Sequence, residues 1–142
     1  MHVVLSMAAA ATETFIILPA IAMGIVLGIY ELYLIHGDEA FGGSKWLSHG
    51  LTHIWPMLLV ASLASFNIDF FQQMVGSSLP TLLENDTFLR IALGLVVAIK
   101  VFTGSAVVAG ARGKGMHESW YHCLIIGALI SVSPYLWPFV EP

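Results

Sequence analysis

The stretch FIILPAIAMGIVLGIYELYLI, residues 15–35, carries a single charged group, Glu31, in its 21 positions. At about 1.5 Å of rise per residue a helix of that length matches the roughly 30 Å of hydrocarbon in a bilayer. Composition extends this reading to the whole chain. Of 142 residues, 58% are hydrophobic and 10% charged, against about 25% charged in an ordinary soluble domain. This is the composition of an integral membrane protein.

Three further apolar runs follow. Residues 54–74 are interrupted by Asn67, Asp69, Gln72 and Gln73; residues 88–111 contain Arg90 and Lys100; residues 120–140 contain His122, Pro134 and Pro138. Each is long enough to span. The expectation is an all-α integral membrane protein, one transmembrane domain over 1–142, with four helices at about 15–35, 54–74, 88–111 and 120–140. Short connections make them an antiparallel bundle with both termini on one side. Residues 1–14 lack a basic leader and read as retained.

Lys45, Arg112 and Lys114 fall in the first and third connections, whereas the opposite side has at most Arg90. The excess of basic residues puts those connections in the cytoplasm and both termini outside it. Trp46, Trp55 and Trp120 would then mark the inner interface, and Tyr135, Trp137 and Phe139 the outer one.

Under that topology His36, His49, His53, His117 and His122 gather near one membrane face, beside Asp38, Glu39 and Glu118. His49 and His53 are four apart and stack on one helical face, as do Glu118 and His122. With Glu31 these side chains form a candidate metal set, suited to zinc, copper or iron. His53 and His122 are also placed to present opposed imidazoles to a haem b. The plainer reading is that imidazoles and acids at helix ends are solvated near the headgroups or cap the helices.

Within the apolar runs, Glu31 shares a face with Gly24 and Gly28, glycines that admit a neighbouring backbone at close range. Glu31 should look inward, where Lys100 could reach it, and Asp69 and Arg90 form a second candidate pair at comparable depth. Both pairs also have a purely structural reading, as ties that fix helix register.

Several classes drop out. The basic residues are dispersed, leaving no footprint for nucleic acid. Gly42-Gly43 and the GARGKG segment, residues 110–115, match neither a phosphate-binding loop nor a dinucleotide fingerprint. Cys123 stands alone in an apolar stretch and reads as a packing residue. No hydrolase elbow is present. What survives is a non-catalytic subunit or scaffold, partnered by lipid and by its own copies or other membrane subunits; a metal- or proton-linked channel or transporter; or a bis-histidine haem protein.

The run GIYELYLIHGDEAFGGSKWLSHGLTH, residues 28–53, resembles small four-span archaeal membrane proteins of uncharacterised function, including those of ammonia-oxidising lineages. The resemblance covers about the first half of the chain. It implies a subunit accompanying a membrane metalloenzyme such as an ammonia or methane monooxygenase, and it carries over no catalytic residue.

Overall fold

The computed structural model describes residues 14–37, 50–75, 80–111 and 119–140, and the described residues contain no strand. Helix α1 covers Leu18–Gly37. A π-helical turn at Gly50–Ile54 leads into α2, Trp55–Phe66. The short α3, Ile68–Val75, and a 3-10 turn at Thr81–Glu84 precede α4, Asp86–Ala111. The last long helix, α5, runs Trp120–Leu136 and closes in a 3-10 turn at Trp137–Phe139.

Among the described residues, three segments, Leu18–His36, Asp86–Gly104 and Trp120–Phe139, are long and apolar enough to cross a membrane. The second run departs from a straight span. Gly50–Phe66 and Ile68–Met74 meet at an angle of 69°, and they make a fourth crossing only when taken together.

Burial follows helical periodicity. Ala20, Met23, Gly24, Leu27, Gly28, Glu31, Leu34 and Ile35 form the buried stripe of α1, while Val26, Ile29 and Tyr33 on its back are exposed. Exposed aliphatic surface on this scale suits lipid contact. Because lipid tails are as apolar as leucine, packing rather than hydrophobic transfer must hold such helices together. α1 packs chiefly on α2 and α4 chiefly on α5, and the two hairpins meet mainly through α2 and α5. α1 and α4 therefore occupy opposite corners. One core cluster, with Leu34, Ile35, Leu58, Val101, Ile126 and Ile130 among its members, draws on all four long helices.

Small residues set the distances. Gly24 lies under α2, where an added Cβ would come within 3.1 Å of the Leu59 Cα. Gly28 lies directly beneath the Trp55 indole. The sequence places Trp55 in an interfacial belt; in the structure it is half-buried and packs inward on Gly28. Trp120 and Tyr135, by contrast, are exposed.

Candidate functional site: a polar ring and a buried carboxylate

The bend after α2 is where the chain concentrates buried polarity, and its chemistry starts with Asn67. An asparagine side chain competes with the helix for backbone partners. Here its Nδ2 donates to the Leu63 carbonyl at 2.8 Å and to the Ile16 carbonyl at 2.9 Å, while its Oδ1 accepts from the Ile16 amide. The side chain thus pairs with the backbone ahead of α1 as another peptide group would. Asn67 also leaves helical geometry, with φ −119° and ψ 25°, and its N–H bonds three residues back to Ala64. The kink has an identifiable cause in these bonds.

Breaking a helix inside an apolar bundle frees carbonyls that need donors. The Ser65 carbonyl accepts from Arg90 Nη1. Arg90 comes from the second turn of α4, is only 6% exposed, lies 5.4 Å from the Tyr135 ring centroid, and places Nη2 3.7 Å from Asp69 Oδ2. The structure thus brings Asp69 and Arg90 together, and it adds a task that spacing did not reveal: the guanidinium caps a broken helix. Asp69 keeps 38% of its side chain exposed, so the pair sits at a partly wet rim.

Serines complete the ring. Pro134 has no N–H to give the carbonyl four residues back, which is that of Ile130. Ser65 Oγ at 2.7 Å and Ser133 Oγ at 2.9 Å donate to it instead. Ser62 Oγ donates to the Ala20 carbonyl at 2.7 Å, and Ser131 Oγ to the Arg90 carbonyl at 2.8 Å. Side-chain-to-backbone bonds therefore link α1 to α2, α2 to α5, α5 to α4 and α4 to α2. The hydrogen-bonding role of the serines escaped the sequence reading, although Pro134, which follows Ser131 and Ser133 and frees the Ile130 carbonyl, was the signal that could have found it.

At the other end, Glu31 is fully enclosed, with 0% exposure, on the same stripe as Gly24 and Gly28. Lys100 is exposed on α4, and the structure does not bring it to Glu31. The reason is geometric: α4 turns Val97, Ala98 and Val101 inward, Lys100 lies off that stripe, and α1 stands at the opposite corner.

Of the candidate metal and haem ligands, His36 ends α1 and is exposed, and His53 is exposed in the π-helical turn. His122 is half-buried in the first turn of α5, its ring 4.2 Å from that of Tyr121. His49, His117 and Glu118 lie outside the described residues, as do Asp38 and Glu39. Among the described residues no three of the His, Cys, Asp and Glu side chains come together to hold a metal.

Comparison with known proteins found no matching family model, no matching curated protein and no matching solved structure.

Proposed function

We propose that the chain is a non-catalytic subunit of a larger membrane complex, crossing the bilayer four times as an antiparallel bundle with both termini extracytoplasmic. In the form the resemblance implies, the complex is a membrane metalloenzyme such as a monooxygenase. The observation that supports this reading is Lys100. It is exposed on the outside of α4, where a lone ammonium in hydrocarbon is costly and intramembrane charges ordinarily find partners. Two of the chain's three small-residue faces pack within it, Gly24 and Gly28 on α2 and Gly127 and Ser131 on α4, while the side chains of the third, Ala106 and Gly110, lie outside the described residues.

The test is native mass spectrometry of the protein extracted from its own membrane with a lipid-retaining polymer. The reading expects the 15.4 kDa chain in fixed stoichiometry with another polypeptide, and that association lost in Lys100→Leu. A chain recovered alone from its native membrane would count against it.

The 69° bend favours a second reading, a metal- or proton-linked channel, since broken helices mark the substrate sites of many transporters. Cation flux into liposomes holding the purified chain alone would support it. A Soret band in the same sample would point to the bis-histidine haem arrangement of His53 and His122.

A further inference from the structure

We infer that Lys100 docks against a transmembrane helix of a different polypeptide, one that carries an aspartate or glutamate within its apolar stretch. The inference rests on the subunit reading and names the chemistry of the partner. It begins with depth. Lys100 is fourteen residues from Asp86 and eleven from Ala111, the ends of α4, or about 21 Å and 16 Å along the axis. Arg90, on the polar ring, is ten residues away, about 15 Å. A lysine arm is shorter than any of these distances. With α4 crossing the bilayer over its apolar length to Ala111, snorkelling, which serves lysines near helix ends, leaves this ammonium short of the headgroups.

The surface around it is otherwise apolar. Val96 and Ile99 on the same side of α4 are 56% and 60% exposed. The Thr103 hydroxyl is turned back onto its own helix, 2.8 Å from the Ile99 carbonyl and 3.3 Å from that of Lys100. This face therefore offers a partner one charge in a field of aliphatic carbon. Among the described residues nothing pairs with the ammonium.

The chain cannot supply the missing carboxylate from a second copy. Of its nine acidic residues, Glu31 is fully enclosed and Asp69 is held by Arg90. In the sequence the other seven fall at or beyond the ends of the four long helices. Two copies meeting face to face through α4 would bring Lys100 against Lys100, which is repulsive. Charge complementarity therefore selects a different chain with an acidic residue at mid-bilayer.

The experiment uses synthetic transmembrane peptides of leucine and alanine bearing one central glutamate, leucine or lysine. Each is mixed with the full-length protein in phosphatidylcholine liposomes, and association is read by energy transfer. Wild type should prefer the glutamate peptide over the leucine peptide by about tenfold, as intramembrane polar contacts allow. Lys100→Leu should lose the preference, and Lys100→Glu should transfer it to the lysine peptide, which also shows that the variants fold. Equal association of wild type with the glutamate and leucine peptides overturns the inference. So does dimerisation of the peptide-free protein that Lys100→Leu leaves intact or strengthens, since a second copy would then cover the face. A fixed complex in native mass spectrometry together with indifference to the glutamate peptide would sink this inference and leave the subunit reading standing. A chain alone in its native membrane that still selects the glutamate peptide would do the reverse.

Discussion

Gly94 of α4 and Gly127 of α5 meet backbone to backbone, so that a Cβ built on either would overlap the carbonyl of the other. This contact lies at the centre of the α4–α5 packing. Gly127→Ala should therefore destabilise by about 1–3 kcal/mol, the range for overpacking in a close-packed interior. Gly104→Ala is the matched control, because among the described residues nothing lies within 4 Å of its added methyl. There the gain in helix propensity should leave stability unchanged or raise it by up to about 1 kcal/mol. Reversible unfolding in mixed micelles compares the two directly.

Arg90 and Asp69 should respond unequally to neutralisation, although they form one ion pair. Arg90→Met strips the donor from the Ser65 carbonyl within the bundle and should destabilise by about 1.5–3 kcal/mol, the range for a hydrogen bond to a charged group. Asp69→Asn should change stability by less than about 1 kcal/mol, because its side chain is 38% exposed and solvent screens the pair. Equal losses in the two variants would show that the ion pair, and not the helix cap, is what matters.

Asn67→Leu removes both bonds to the Ile16 backbone. The expected outcome is faster hydrogen exchange at the Ile16 amide with little change in the core of α5. Asn67→Asp, which retains an acceptor but loses the Nδ2 donor, should fall between Leu and wild type. Exchange followed by mass spectrometry on peptides that begin near residue 14 separates the three.

Lys100→Leu should leave the stability of the isolated chain within about 0.5 kcal/mol, as for surface substitutions that break no contact. A large loss in the purified protein would reveal an intramolecular role that its exposed position does not indicate.

How far the sequence can be read is clearest at individual residues. Four apolar runs of span length were plain because hydrophobicity is a summed property that survives ignorance of packing. The inward orientation of Glu31 was legible from its spacing to Gly24 and Gly28, which requires only helical periodicity. Asp69 and Arg90 could be paired by depth, yet the bend between α2 and α3 that Arg90 caps could not be foreseen. Asn67 looks like one polar interruption among several until Ile16, 51 residues earlier, is known to lie beside it. Lys100 was assigned to Glu31 because depth along a helix is readable and azimuth between non-adjacent helices is not. The corner arrangement of the two hairpins is a tertiary fact with no local signature.

The tie between Asn67 and Ile16 also sets an order of events during synthesis. The backbone ahead of α1 cannot acquire its partners until 51 further residues, including all of α2, have been made. The N-terminal end of the first helix therefore stays unpinned until the second has been made, and arrival of Asn67 fixes it. The same asparagine that interrupts α2 thus records when the first hairpin is complete.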